Sequence, residues 1–148
     1  MNTNGIKILI VLTLSFLLVG CATMSDVLTS KDNGTAKVYP VNANQAWTIA
    51  TKVLRWEGAD AIEEHRDEGY MLANSSMNLI TTGTLMGAWV EKVDNSHSKV
   101  TVVTKRRIAT NLVTTLTETT FHDRFAQAVD IVKKGQPLPA TSPPRVQK

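Results

Sequence analysis

The chain has 148 residues, enough for one domain with a genuine core and hardly two. Its 16 Lys and Arg stand against 13 Asp and Glu, a net charge of +3 that is too small a surplus to argue for nucleic acid. A single cysteine, Cys21, excludes an internal disulfide, so stability has to come from packing.

The first predicted element is a leader. Residues 1–20 combine a short polar start carrying Lys7, an apolar run from Ile8 to Val19, and small residues ahead of Cys21, the three parts of a secretory signal. At about 1.5 Å per residue the run covers only about 18 Å of a hydrocarbon core near 30 Å, too short for a comfortable permanent span. Leu18-Val19-Gly20-Cys21, with Leu at −3, Gly at −1 and Cys at +1, resembles the lipobox of bacterial lipoproteins. That resemblance implies acylation of the Cys21 sulfur, cleavage after Gly20 and a mature chain that begins at Cys21. One acyl chain holds only marginally, at about 0.8 kcal/mol per buried CH₂, whereas two or three on one cysteine make a lasting anchor. In that family Asp after the cysteine retains the protein on the inner membrane. Ala22 stands there, which implies the periplasmic face of the cell outer membrane. The alternative, an ordinary leader followed by a chance cysteine, leaves a lone thiol without a partner.

Residues 21–37 are short on bulky apolar side chains and include Ser30-Lys31-Asp32-Asn33-Gly34; they read as a lipidated flexible tether. The folded domain is expected over 38–135. Val38-Tyr39-Pro40-Val41 gives a short strand, with Pro40 favouring a sheet edge or strand end. Asn42 and Gln45 make an Asn/Gln version of the capping box. Beyond them Ala46, Trp47, Ala50, Val53 and Leu54 fall on one arc of a helix, Ile49 and Trp56 extend it, and Gly58 ends it near Glu57. Residues 59–66 and 69–76 read as half-buried strands joined by Asp67-Glu68-Gly69, where glycine supplies the positive φ of a tight hairpin. Ile62 and Glu64 then share one face, Glu63 and His65 the other.

Thr81-Thr82-Gly83 leads into a strand from Leu85 to Val93, in which Gly87 beside Ala88 implies a close backbone approach, a bend or a bulge. Asp94–Ser98 is a polar turn and Lys99–Thr104 the clearest alternating strand, whose phase continues through Ile108, Leu112 and Leu116 as one bent strand or two pieces. Thr120 is the expected cap of a last helix, with Asp123 at its third position and Phe121, Phe125, Ala128, Val129 and Val132 on its apolar face. Lys133-Lys134-Gly135 stops it. Residues 136–148, with Pro137, Pro139, Pro143 and Pro144, read as a disordered Pro-rich tail.

Two amphipathic helices and a one-faced antiparallel sheet cover each other most economically as an α+β domain: a single antiparallel sheet of four to five strands with two helices packed on one face. By element order over 38–134 the chain resembles the small helix-on-sheet envelope lipoproteins, including the BamC-type subunit of the outer-membrane β-barrel assembly machinery. The resemblance implies a fold and an envelope setting. It carries no signature motif beyond the lipobox.

Candidate chemistry is thin. Glu63-Glu64-His65 with Asp67 and Glu68 is the densest titratable cluster, but strand geometry puts Glu63 and Glu64 on opposite faces, which suits a solvated hairpin end better than an acid–base pair. Glu118 and His122 are four apart, a spacing that brings two metal ligands together on a helix, yet Thr120 as cap leaves Glu118 outside and no third ligand is evident. No Gly-x-Ser-x-Gly pattern, phosphate loop or dinucleotide turn occurs. No enzyme activity, cofactor or metal is predicted. Lys105-Arg106-Arg107 is the strongest charged run, suited either to anionic head groups or an acidic protein, or to keeping a strand edge unpaired. The predicted function is a non-enzymatic, lipid-anchored binding or scaffold module for another envelope component. The alternative is a lipid or lipopolysaccharide-binding protein with a pocket near Trp56 and Trp89, and an envelope hydrolase acting through Glu64 or His65 is a third reading.

Overall fold

The computed structural model describes residues 22–75, 83–107 and 117–144. The leader and Leu18-Val19-Gly20-Cys21 lie outside them, as do Ser76, Thr81, Thr82 and the continuation through Ile108, Leu112 and Leu116. In chain order the elements are α1 (Met24–Leu28), a 3₁₀ turn (Lys31–Asn33), β1 (Thr35–Tyr39), α2 (Ala43–Trp56), β2 (Ala61–His65), a 3₁₀ turn (Arg66–Glu68), β3 (Tyr70–Asn74), β4 (Thr84–Lys92), β5 (Ser98–Arg106) and α3 (Glu118–Lys133). The five strands form one open antiparallel sheet in the order β1-β5-β4-β3-β2, an α+β architecture.

Alternation along the strands assigns the two faces. Met71, Ala73, Met86, Ala88, Val90, Val100 and Val102 point toward α2 and α3, and with Trp47, Ile49, Val53, Leu54, Phe121 and Phe125 they form the main core. The α2 cap follows the expected box: Gln45 N–H donates to Asn42 Oδ1 at 2.9 Å and Asn42 N–H to Gln45 Oε1 at 3.2 Å. Gly69, at φ +76°, ends the 3₁₀ turn between β2 and β3 in the left-handed region that glycine adopts without strain.

Three expectations are corrected. Residues 22–34, read as a tether, are folded: Thr23 and Asp26 cap α1 reciprocally, and Val27 is fully buried on the sheet face opposite α2 and α3. Val27 there joins Leu72, Leu85, Trp89 and Val103, with Ala22, Met24 and Tyr70 packed around them. Gly87 is the reason the helix fits, since a Cβ at that position would stand 2.7 Å from both Val27 Cγ1 and the Trp89 ring. The folded region therefore starts well before Val38, with β1 beginning at Thr35.

The cap of α3 is Thr117 rather than Thr120: the Thr117 hydroxyl accepts from Thr120 N–H at 3.2 Å and the Thr120 hydroxyl accepts from Thr117 N–H at 3.0 Å, so Thr120 is the third residue of the helix. Residues 136–144, read as disordered, are tied to the helices. Leu138 packs on the main core, Trp56 Nε1 donates to the Pro139 carbonyl at 3.2 Å, Gln127 Nε2 donates to the Pro144 carbonyl at 3.0 Å, and Arg124 donates to the Pro143 carbonyl.

Candidate interaction surfaces

The two edges of the sheet are finished differently. At the start of β1, Thr35 pairs with Val102 of β5, and both its backbone groups are also bonded by α3. The Glu118 carboxylate accepts from Thr35 N–H at 3.0 Å through one oxygen and from Thr104 N–H at 3.1 Å through the other. One turn on, His122 Nε2 lies 2.9 Å from the Thr35 carbonyl. A carbonyl only accepts, so the neutral imidazole carries its proton on Nε2, and Nδ1 accepts from the Tyr39 hydroxyl at 2.8 Å. His122 is 1 % exposed. Burial holds its pKa below the ordinary 6.5, opposed by the bond to Thr35. The i,i+4 pair that resembled half a metal site thus replaces a missing strand neighbour, at the one place where β5 outruns β1.

The β2 edge has no such cover among the described residues, and it carries the titratable cluster. As predicted, Glu63 and Glu64 part to opposite faces. Glu64 reaches over α2 and accepts from Trp47 Nε1 at 2.6 Å, where Arg66 lies 5.4 Å above the Trp47 ring and bonds Asn44 at 2.9 Å. Glu63 pairs with His65 at 2.7 Å on the other side, and the His65 ring stacks on Tyr70 at 4.5 Å. The signal for Trp47–Glu64 was absent from the sequence, since the two residues lie on different elements.

Lys105 and Arg106 end β5 and Arg107 follows it. The register of β1 with β5 stops at Thr35–Val102, so among the described residues this end of β5 has a strand neighbour only in β4, which is where the edge-protecting alternative applies. Lys105 opposes Leu85 and points to the α1 face; Arg107 is past the strand, where its N–H donates to the Gly83 carbonyl at 3.4 Å. Trp56 and Trp89 are not neighbours. Trp56 borders the main core beside Pro139, while Trp89 is 5 % exposed on the opposite sheet face. A single pocket lined by both is ruled out by the sheet between them. The open depression at α2 and the tail has a volume of about 240 Å³ and is lined by Asn44, Gln45, Thr48, Ile49, Val132 and Leu138, neither tryptophan among them.

The remaining buried charge is structural. Arg124 and Glu57, both nearly enclosed, meet at 3.3 Å and join the end of α2 to α3. Among the described residues no group of three or more His, Cys, Asp or Glu side chains converges as metal ligands, and no helix is long and apolar enough to cross a membrane. Comparison with known proteins found no family model that matches the chain and no curated protein similar to it.

Proposed function

We propose that this protein is a lipid-anchored, non-enzymatic binding or scaffold module on the periplasmic face of an outer membrane. The observation that carries the reading is where its reactive side chains are engaged. Glu64 is held by the Trp47 indole, Glu118 by two backbone N–H groups of the sheet, and His122 by Tyr39 and Thr35. Each of these bonds positions secondary structure. The anchor rests on Leu18-Val19-Gly20-Cys21 and the outer-membrane address on Ala22.

For a partner, the exposed β2 edge is the natural contact. Its backbone groups offer a ladder to an added strand, and its charges discourage indiscriminate pairing while permitting a complementary one. Anchoring concentrates neighbours on the same membrane, so even a weak edge contact is effective there. Affinity co-purification of the tagged, lipidated protein from gently solubilised envelopes, beside Cys21→Ala and Ile62→Pro, tests this. The same envelope protein should return in repeated preparations, disappear with Cys21→Ala and weaken with Ile62→Pro. Preparations free of protein partners but carrying acyl ligand in native mass spectrometry would replace the scaffold with the lipid-binding reading.

A further inference from the structure

The Pro-rich tail is held mainly by its backbone. It leaves α3 through Gly135, at φ +71°, where Gln136 N–H donates back to the Ile131 carbonyl at 3.1 Å, and then crosses both long helices. Trp56 on α2 donates to the Pro139 carbonyl at 3.2 Å, and on α3 Arg124 and Gln127 donate to the carbonyls of Pro143 and Pro144. All three acceptors are main-chain oxygens of prolines. Leu138 is the side chain of the segment that packs on the main core, whereas Gln136, Pro137, Pro139, Ala140, Thr141 and Pro144 are exposed. Beside Leu138 the depression of about 240 Å³ lined by Gln45, Thr48, Ile49 and Val132 lies open.

The geometry points to a groove across α2 and α3 that reads proline-rich backbone: the chain's own tail occupies it, and an extended proline-rich segment of a partner protein takes the tail's place. Proline fixes φ at about −65° and has no N–H, so such a segment arrives extended, with carbonyls open to donors and little conformational entropy to lose. Side-chain donors set along two helices, an indole among them, suit that backbone. A lock specific to the tail would grip its side chains. Here carbonyls and one leucine do the holding, and other segments with an apolar residue among prolines meet the same demand. Release of the tail strands no charge, because Arg124 keeps Glu57 at 3.3 Å and Gln127 at 3.1 Å. The tail's advantage is its attachment: a short connection holds it at an effective concentration on the order of millimolar, the threshold a partner's segment has to overcome. This is a second contact besides the β2 edge, and it requires neither that edge nor the lipid anchor.

The test uses the full-length protein in detergent and a fluorescein-labelled peptide with the sequence of residues 136–144, followed by fluorescence anisotropy. Leu138→Asp and, in parallel, the milder Leu138→Ser unseat the tail, and urea unfolding checks that each variant is folded. The peptide should bind each variant at least about tenfold more tightly than the native chain, whose own tail competes. Adding Trp56→Phe, which keeps a ring and removes the donor, should weaken that binding by about fivefold. A peptide carrying Leu138→Phe should bind more tightly than its parent by filling the depression; weaker binding would remove the depression from the site. Folded variants that take up no peptide overturn the groove. Equal binding to the native chain and the variants overturns the tail as its occupant, and binding indifferent to Trp56→Phe overturns the part given to the indole. Loss of folding in both variants overturns the proposal as well, because the groove then does not exist apart from its own tail.

Discussion

The two faces of the sheet are built on different scales. One buries Phe121, Phe125, Trp47, Ile49 and Leu54 under two long helices; the other buries Val27, Leu72, Leu85, Trp89 and Val103 under a helix of five residues. A side chain on the first is surrounded on all sides, and its loss leaves a cavity that rigid neighbours cannot fill. A side chain on the second is also buried, but in a cluster of five residues under one short helix, with fewer neighbours to hold a cavity open. The thick face therefore holds the fold, and the thin face holds the chain's entry point against it.

The sharpest way to break the contrast is Phe125→Ala. It should cost about 4 kcal/mol in urea unfolding, the usual range for removing an enclosed aromatic. Arg124→Ala should follow at about 3 kcal/mol, because it strands the Glu57 carboxylate and frees the tail carbonyl of Pro143; a smaller loss would mean that the pair is more hydrated than its enclosure implies. Val27→Ala removes two methyl groups and should cost about 2 kcal/mol, against a change within about 0.5 kcal/mol for exposed Ser25→Ala. Equal and negligible effects at 27 and 25 would return residues 22–34 to a free tether. Thr117→Ala should cost about 1 kcal/mol through the lost α3 cap.

A smaller effect distinguishes the sealed edge. His122 titrates below its ordinary value when folded, so the unfolded chain takes up a proton first as pH falls. The stability contributed by the neutral ring is thus fully present above about pH 6.5 and declines as pH drops through that value, until the folded pKa is reached. The urea midpoint of the native chain should fall more steeply between about pH 7 and pH 5 than that of His122→Gln. Parallel curves would place the pH dependence elsewhere.

Where structure is made by near neighbours, it was legible. Asn42 and Gln45 cap α2 through bonds three residues apart, the apolar arcs of both long helices are buried as their spacing implies, and Glu63 and Glu64 separate as successive strand residues must. Where several neighbours are equally suited, local rules could not choose. Thr120 reads as the cap from its neighbours, yet Thr117 takes that place and α3 starts at Glu118, whose carboxylate bonds β1 and β5. The candidate sites divide the same way. The carboxylates and the basic run were visible as residues, but the Trp47–Glu64 bond, the Thr35 seal and the separation of Trp56 from Trp89 join positions distant in the chain.

The α+β class is written locally: periods of two and of 3.6 follow from bonds within each segment, so alternation and helical arcs specify strands and amphipathic helices with apolar faces to be covered. What becomes of α1, the residue 136–144 segment and the i,i+4 Glu118–His122 pair depends on contacts between distant segments. A five-residue helix with one buried valine has no detectable period. It is ordered by the space above Gly87, as the tail is ordered by donors on α2 and α3, and such complementarity exists only once distant segments have met.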